Sequence, residues 1–499
     1  MPPPRSGGVT PVRTERRRLV RPKRAVRWGA VVAAPRADAS VVAHAQGRLR
    51  QRLGSWRQEV ARTRPLARQG RVTQVVGLVL EASGPAVEIG ELVAIHRVGD
   101  PAATPLLAEA VGFRDRRVLF MPLQTVAGLS PGAVATATGR RLEVTCGPSL
   151  LGRVLDGLGR PLDGRGPVSG ERRPAEAEPP PPLARRAIDE PLPVGVRSVD
   201  GLLTCGRGQR LGIFAGSGVG KSTLLGMLCR HTEAQVNVVA LVGERGREVR
   251  EFIDADLGAE ALQRSVVVVA TSDQPPVVRL KAALVATTVA ESFRDQGLDV
   301  LLVMDSLTRF AQALREVGLA SGEPPTTRGY TPSVFAALPR LLERSGRGAR
   351  GSITGLYTVL VEGDDMNEPV ADAVRGLLDG HIVLSRALAA RGQYPAVDVL
   401  QSTSRLAARL LRPEQAEAAQ RLRTVLATYQ HAEDLIDVGA YRPGSNPAID
   451  HAMRWIDPVR QWLCQDRLER AEWEETWARL AAIAVEAQDG SFQVDGKEA

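Results

Sequence analysis

Short, wholly apolar runs alternate with amphipathic stretches across residues 195–405. Strands that are buried on both faces of a sheet read as continuous apolar runs, whereas half-exposed strands alternate between apolar and polar residues. The stretches between the runs, such as Val278–Arg294, have helical spacing. We therefore predict an α/β domain in which helices cover both faces of a mainly parallel sheet. Its predicted strands are Arg210–Ala215, Val236–Val242, Val266–Ala270, Val300–Met304, Ile353–Leu360, Ile382–Leu384 and Val397–Leu400.

The segments on either side of this region have different patterns. Before it, short β-like runs over residues 71–146 are separated by Gly and Pro turns, which predicts a small all-β barrel or sandwich. A Gly-rich stretch and a Pro-rich, extended connection ending at Leu183 follow. The last 90 or so residues have helical spacing and contain Trp455, Trp462, Trp473 and Trp477. A length of 499 residues also indicates roughly three domains. We place them at 71–146, 147–410 and 411–499.

The basic charge of the chain is concentrated near its amino-terminal end. Residues 1–70 hold 17 Lys and Arg against 3 Asp and Glu, so they carry +14 while the remainder carries −5. A Pro-rich and then Arg-rich composition predicts disorder over 1–36, and helical spacing is present over 38–63. Residues 1–70 are therefore predicted to form a basic, partly disordered extension. Such an arm binds nucleic acid or anionic lipid, or it only solvates the chain.

Composition argues against a membrane-spanning protein, a secreted protein and a cysteine-based metal site. No apolar run approaches 18 residues and no signal-peptide core is present near the start, so we expect a soluble globular protein. The four cysteines are scattered and form no metal-binding pair, which favours reduced thiols in the cytosol. They are Cys146, Cys205, Cys229 and Cys464.

A phosphate-binding loop is indicated at residues 215–223, which read Ala-Gly-Ser-Gly-Val-Gly-Lys-Ser-Thr. The match follows a predicted strand and opens a helical run, and this context disfavours the alternative of a Gly-rich structural turn. The glycines let backbone N–H groups surround anionic phosphates, and the positive end of the helix dipole faces the same charge. Lys221 can reach the β- and γ-phosphates, and Ser222 can ligate Mg²⁺.

Two carboxylates follow predicted strands at the sheet edge where ligands bind. Asp305 follows the fourth predicted strand and can hold Mg²⁺ through water. Glu244 follows the second and can orient the water that attacks the γ-phosphorus. The alternative for Glu244 is a surface ion pair with Arg245 or Arg247. Arg405 follows the last strand, and on composition alone it is one arginine among many.

Several longer stretches of the sequence together resemble one family. They are Leu202–Ser222, Gly243–Val249, Met304–Ala311, Gly322–Tyr330, Ser333–Phe335, Gly351–Pro369 and Leu378–Arg386. The chain is similar to the hexameric ATPases of bacterial type III secretion, relatives of the flagellar export ATPase and of the catalytic subunit of rotary F-type ATP synthases. The similarity extends over about residues 71–460. It implies an N-terminal β-barrel, a RecA-like P-loop ATPase core at 147–410 and a C-terminal helical domain.

The resemblance also implies a catalytic role for four residues. Glu244 matches the catalytic carboxylate of the family, and Lys221 matches the lysine that holds the phosphates. Arg245 matches an arginine near the γ-phosphate. Arg405 matches the arginine finger that is given to the adjacent subunit of the ring.

The remaining matches concern binding of ATP and Mg²⁺. Ser222 and Asp305 match the residues that serve Mg²⁺, and Arg309 matches a second arginine near the γ-phosphate. Tyr394 matches the aromatic residue that stacks on adenine, a contact of ~1–3 kcal/mol by analogy with base stacking; the alternative is a core tyrosine. The implied nucleotide-binding residues are Gly216, Ser217, Gly218, Val219, Gly220, Lys221, Ser222, Thr223, Arg309 and Tyr394.

The implied assembly is a homohexamer in the cytoplasm, peripheral to the inner membrane at the export gate. Its implied partners are a stator-like regulator at the amino-terminal region, a central stalk protein and chaperone–effector complexes. Acidic lipid is a further partner, and nucleic acid is not expected because residues 71–499 are acidic and contain no RNA-binding motif.

Three alternatives accompany this interpretation. Met366 and Asn367 stand where flagellar relatives usually have Gln, which favours the injectisome branch over the flagellar one. A RecA-like nucleic-acid motor would use the basic extension as its anchor. A non-catalytic rotary subunit would bind nucleotide only as a structural part, but the presence of both Glu244 and Lys221 argues against it.

Overall fold

The computed structural model describes residues 67–99, 103–361, 363 and 365–489, together with positions 49, 52, 53 and 56. The chain divides into two units, residues 1–66 and 67–499, and the architecture below is that of the second. The predicted basic extension and the helical pattern at 38–63 lie almost wholly outside the described residues.

A closed six-stranded barrel forms the first part of the described chain. Its strands are β1 (Gln69–Val76), β2 (Val79–Ser83), β3 (Leu92–His96), β4 (Leu106–Arg114), β5 (Arg117–Pro122) and β6 (Val134–Ala137). They pair antiparallel in the closed order β1-β2-β5-β4-β3-β6. Leu80, Ile95 and Phe120 fill the interior, because alternate side chains of each strand point inward. The all-β prediction is confirmed, and its barrel form is the correct one.

A nine-stranded sheet forms the centre of the molecule. The remaining strands of the described residues are β7 (Glu143–Cys146), β8 (Arg153–Asp156), β9 (Glu171–Pro174), β10 (Arg210–Ala215), β11 (Val236–Val242), β12 (Ser265–Ala270), β13 (Asp299–Asp305), β14 (Gly346–Arg347), β15 (Ser352–Leu360), β16 (Gly380–Leu384) and β17 (Val397–Ser404). The sheet has the order β17-β16-β10-β15-β13-β11-β12-β8, with β14 beside β15, while β7 pairs with β9. Only β14 and β17 pair antiparallel in the large sheet, so the mainly parallel prediction is confirmed.

Helices cover both faces of this sheet and form the end of the described chain. The helices of the central domain are Arg197–Leu202, Lys221–His231, Gly246–Glu251, Gly258–Gln263, Pro276–Asp295, Leu307–Ser321, Pro332–Leu342, Pro369–Leu377, Arg386–Ala390 and Ala407–Leu410, with a π-helical segment at Phe252–Leu257. The C-terminal helices are Pro413–Asp437, Pro447–Leu463 and Trp473–Asp489. Among the described residues, no helix combines the length and the apolar character that crossing a bilayer requires.

The C-terminal helices pack on the central domain through buried tryptophans. Trp462 and Trp477 belong to the same apolar cluster as β10 and β11. A Cβ atom on Gly201 would lie 2.7 Å from the ring of Trp462, so only glycine allows this approach. The helical prediction for this region is therefore confirmed, and the domain limits given above stay predictions.

A buried lysine joins the barrel to the central domain. Lys281 Nζ, in helix Pro276–Asp295, lies 2.8 Å from Oε1 of Glu109 in β4 and 2.7 Å from Oε1 of Glu176 after β9. Burial raises the pKa of Glu109 in spite of the attraction of Lys281. Burial also disfavours the charged ammonium, but the two carboxylates outweigh it and raise the pKa of Lys281. One ammonium thus compensates two carboxylates from two other segments.

We expect Lys281→Met to lower the free energy of unfolding by about 3–5 kcal/mol, because it leaves a buried carboxylate without a counter-charge. Urea denaturation of the full-length chain at neutral pH measures this. Glu109→Gln is the matched control: it keeps the shape and removes a buried charge, so its cost should stay below about 1.5 kcal/mol. Equal losses for the two variants would contradict the central role of Lys281.

Candidate functional site

The predicted phosphate loop joins β10 to helix Lys221–His231 at the carboxyl edge of the sheet. Gly218 and Gly220 have φ angles of +78° and +86°, which L-residues with a side chain rarely adopt. Val219 is buried and anchors the loop, whereas Ser217 and Gly218 are exposed. The loop therefore turns its backbone toward solvent immediately before the positive end of a helix, where an anion is stabilised.

Lys221 lies between two carboxylates that come from neighbouring strands. Its Nζ is 2.5 Å from Oδ1 of Asp305 and 3.4 Å from Oε1 of Glu244. Asp305 ends β13, and Glu244 follows β11, its neighbour in the sheet. Burial disfavours the ammonium, but these carboxylates outweigh it and raise the pKa of Lys221. The structure thus brings together three residues that the sequence analysis assigned to one site.

Glu244 is the titratable group of this cluster near neutral pH. Burial raises the pKa of Glu244 to about 7, against the attraction of Lys221 and with a contribution from the charge of Asp305. A hydrogen bond with Glu244 lowers the pKa of Glu248. A carboxyl group with a pKa near the working pH is suited to general acid–base chemistry.

Two arginines follow Glu244 and Asp305 but differ in their surroundings. Arg245 is 80% exposed at its side chain and pairs with Glu248 at 3.3 Å. The side chain of Arg309 packs against the backbone of Gly243, the residue before Glu244. A Cβ atom on Gly243, whose φ is +74°, would lie 2.9 Å from Cβ of Arg309. Nη1 of Arg309 donates to Gln312, and its buried Nε has no partner among the described residues.

Tyr394 lies beside the phosphate loop. It lies three positions before the first residue of β17, and its ring would be 3.6 Å from a Cβ atom on Gly220. The side chain is 49% exposed, so it is not a core residue. Its carbonyl accepts a hydrogen bond of 2.9 Å from the backbone of Gln465. An exposed aromatic face next to the loop can stack on a planar ligand.

Arg405 lies at the opposite edge of the sheet from the phosphate loop. Ala215 is aligned with Leu384, which pairs with Val397 at the start of β17. Because β17 is antiparallel to β16, it runs from the carboxyl end of β16 to its amino end, where Ser404 pairs with Gly380. Arg405 follows directly after this end of β17. There the exposed Arg405 donates to the carbonyl of Arg375 at 3.3 Å. The structure therefore does not bring Arg405 to the site of its own chain.

Three family models match consecutive parts of the chain. The β-barrel domain of the ATP synthase alpha/beta family matches residues 72–139, its nucleotide-binding domain matches 195–404, and the C-terminal domain of the type III secretion ATPase EscN matches 411–482. A flagellum-specific ATP synthase of Bacillus subtilis is 54% identical over 417 residues, which cover 83% of this chain and 95% of that protein. The type 3 secretion system ATPase of Xanthomonas euvesicatoria is 51% identical over 421 residues, 84% and 95% of the two chains. The chain belongs to the type III secretion and flagellar export ATPases.

Solved structures agree with this membership. The assembled ATPase EscN from the type III secretion system of enteropathogenic E. coli matches with a TM-score of 0.79 and 45% identity, covering 83% of this chain and 100% of that one. EscN in complex with its central stalk EscO matches with a TM-score of 0.76 and 44% identity over the same shares. The chain is accordingly a P-loop ATPase that hydrolyses ATP.

Ser222 and Asp305 fit a Mg²⁺ site that substrate phosphates complete. Mg²⁺ usually keeps several waters and takes one or two protein ligands together with phosphate oxygens. Within the described ranges, no group of three or more His, Cys, Asp and Glu residues could hold a metal by itself. One hydroxyl at the start of the helix and one carboxylate at the end of β13 are the matching donors. When bound there, the ion neutralises charge on the phosphates.

Two threonines of the site were missed by the sequence analysis. Thr358 Oγ1, in β15, donates to Oδ1 of Asp305 at 2.6 Å. Thr308 Oγ1 accepts from the backbone N–H of Leu360 at 2.9 Å. Thr358 lies in a strand, where threonine is common, and Thr308 lies in helix Leu307–Ser321, so only their position at the carboxyl edge could have indicated these roles. They hold the carboxylate and the end of β15 in place.

The pKa of Glu244 predicts the pH dependence of hydrolysis. A general base must be deprotonated, so kcat/KM of the free enzyme should fall about tenfold per pH unit below pH 7 and level off above it. Initial rates between pH 5.5 and 9 measure this. ATP affinity over the same pH range is the control. It separates a loss of the deprotonated general base from a loss of ATP binding. A kcat/KM that stays constant down to pH 5.5 would contradict a general base whose pKa lies near 7.

Proposed function

We propose that the chain hydrolyses MgATP to drive protein export through a type III secretion apparatus, with release of exported effectors from their chaperones and unfolding of those effectors. The observation that carries the proposal is the buried contact of Lys221 with Glu244 and Asp305 at the phosphate loop, in a chain of the export ATPase family. We place this work in the cytoplasm, at the inner membrane face of the apparatus.

In this proposal each residue acts on the triphosphate or on the attacking water. Lys221 exchanges its carboxylate partners for oxygens of the β- and γ-phosphates, while Tyr394 stacks on adenine. Glu244 accepts a proton from water as the water oxygen bonds to the γ-phosphorus. The bond from phosphorus to the bridging oxygen breaks, and ADP and inorganic phosphate form. Arg245 and Arg309 stabilise the charge on the transferred group.

The proposed working unit is a homohexamer. Arg405 lies at the sheet edge opposite the loop, so it can serve only the site of a neighbouring chain, as an arginine finger does. The assembled form of EscN, a relative at 45% identity, supports a ring. Its complex with EscO supports a central stalk as a partner of this chain.

We extend the proposal to three further contacts. The basic residues of 1–70 would meet a stator-like regulator or acidic lipid. Chaperone–effector complexes would meet the helical domain, where Leu435 and Val438 are exposed near the end of helix Pro413–Asp437. Exposed apolar side chains of this kind suit contact with another protein.

Within the family we favour the injectisome branch. The support is Met366 and Asn367 in the stretch Gly351–Pro369. The alternative is flagellar export, because relatives of both kinds are similarly close, at 54% and 51% identity. Complementation of strains that lack either kind of ATPase distinguishes the two.

Hydrolysis should rise steeply with protein concentration, because each complete site needs Arg405 of a neighbour. Specific activity of the full-length chain, measured across the range in which it assembles, tests this. Glu244→Gln should bind ATP and lose at least about 100-fold in kcat, the scale of a general base. Flat, negligible activity in both forms would contradict the enzyme proposal, and hydrolysis that needs RNA would favour the nucleic-acid motor.

Two inactive variants should restore activity to each other when they are mixed. Glu244→Gln lacks the base and Arg405→Ala lacks the finger, so a mixed ring contains some interfaces with both intact groups. We expect hydrolysis to reappear in the mixture and to follow the fraction of such interfaces. Glu244→Gln mixed with Lys221→Ala is the control, since both defects lie in the same site. No recovery in mixed rings would contradict the action of Arg405 on the site of a neighbouring chain.

A further inference from the structure

The far end of the phosphate-loop helix is held by one side chain from another segment. The last carbonyls of a helix have no partners within it and must be satisfied from outside. Arg264 follows helix Gly258–Gln263 and immediately precedes β12. Its Nη2 donates to the carbonyls of Cys229 and Arg230 at 3.0 and 2.9 Å. Its Nη1 donates to the carbonyls of Thr232 and Ala234 at 3.0 and 2.6 Å.

These four acceptors belong to two elements and not to one. Cys229 and Arg230 lie in the last turn of the helix, whereas Thr232 and Ala234 lie in the turn that leads into β11. The guanidinium is planar and has several donors in fixed directions, so it fixes the angle between the groups it joins. A cation at this position also complements the negative end of the helix dipole.

A buried asparagine strengthens the same junction. Asn237, near the start of β11, donates from Nδ2 to the carbonyl of Cys229 at 2.9 Å. Its backbone N–H donates to the carbonyl of Arg264 at 2.9 Å. Helix end, connecting turn and strand start are therefore tied at one point. We call this point the Arg264 junction, formed by the side chains of Arg264 and Asn237 and by the backbone carbonyls of Cys229, Arg230, Thr232 and Ala234.

Both arms that leave the Arg264 junction end at the nucleotide site. The helix has 11 residues, about 16 Å, and begins with Lys221. Strand β11 has 7 residues, about 23 Å, and leads to Glu244. At their other ends, Lys221 Nζ and Glu244 Oε1 are 3.4 Å apart. A small change of angle at the junction therefore becomes a displacement between these two groups.

We propose that Arg264 is a positioning residue for ATP hydrolysis: its guanidinium sets the angle between the phosphate-loop helix and β11, and thereby how Lys221 and Glu244 face the triphosphate. This inference rests on the proposed function of that site. Arg264 touches neither nucleotide nor water, and its effect passes through the two elements that it joins.

The experiment compares Arg264→Ala, Arg264→Lys and Arg230→Ala in the full-length chain. Arg230 is the matched control: it is in the same helix end, but its own guanidinium donates to the carbonyl of Asp256 and to that of Arg467. Each variant is measured for kcat and KM of MgATP, for MgADP affinity by calorimetry and for its unfolding midpoint.

We expect Arg264→Ala to lower kcat by about 100-fold, as a displacement near 1 Å does, and to weaken MgADP binding. Arg264→Lys should give intermediate values, since an ammonium cannot span the four carbonyls. Arg230→Ala should lower the unfolding midpoint but keep kcat, KM and MgADP affinity within twofold. Added guanidinium ion should partly restore kcat of Arg264→Ala and leave Arg230→Ala unchanged.

A purely structural role would give a different pattern, because affinity and KM do not depend on the folded fraction. Unchanged KM and MgADP affinity in Arg264→Ala, or equal losses in Arg230→Ala, would overturn the inference. If Arg264→Ala does not fold, wild-type kcat and KM in Arg264→Lys would overturn it instead. Absence of nucleotide binding in the unaltered chain would refute the proposed function, a result that the variants cannot imitate.

Discussion

A buried ammonium must have anionic partners, and this requirement organises the site. Lys221 is 13% exposed, so its charge is stable only while carboxylate or phosphate oxygens surround it. Its two present partners come from the second and third strands beyond β10 in the sheet, with β15 between. Thr358 of that intervening strand fixes Asp305. The order of the strands, the turn of the loop and the threonine at the edge all serve to place oxygens around one nitrogen.

The same physical arrangement occurs twice and has two uses. At the barrel, Lys281 compensates the buried carboxylate of Glu109 and the partly exposed carboxylate of Glu176, and the cluster joins three segments. At the phosphate loop, the corresponding cluster opens onto exposed backbone at Ser217 and Gly218. There a phosphate can compete with the carboxylates for Lys221. Glu244, whose pKa is raised to about 7, can gain or lose a proton near neutral pH. The adjoining phosphate loop, with its exposed backbone, therefore distinguishes the second cluster from the first.

Much of this architecture could be predicted from the sequence, because continuous apolar strands and a Gly-rich loop are local signals. All seven predicted strands are present, as are the barrel and the helical end. Strand β8 was missed since four residues among glycines make no apolar run, and β17 extends past Leu400 because an edge strand tolerates polar residues. Thr358 and Arg264 act only through partners more than 25 residues away in the sequence, which spacing cannot reveal. The roles assigned to site residues stay predictions.

Strand β17 connects Tyr394, beside the phosphate loop, to Arg405 at the far edge of the sheet. The eight residues of β17, paired along β16, thus separate the proposed adenine-stacking residue from the proposed arginine finger. In a closed ring of such chains, every strand of this kind would have one end in its own nucleotide pocket and the other at the next. The two ends of one strand would then face two different nucleotides, so that neighbouring pockets would share a continuous element of backbone.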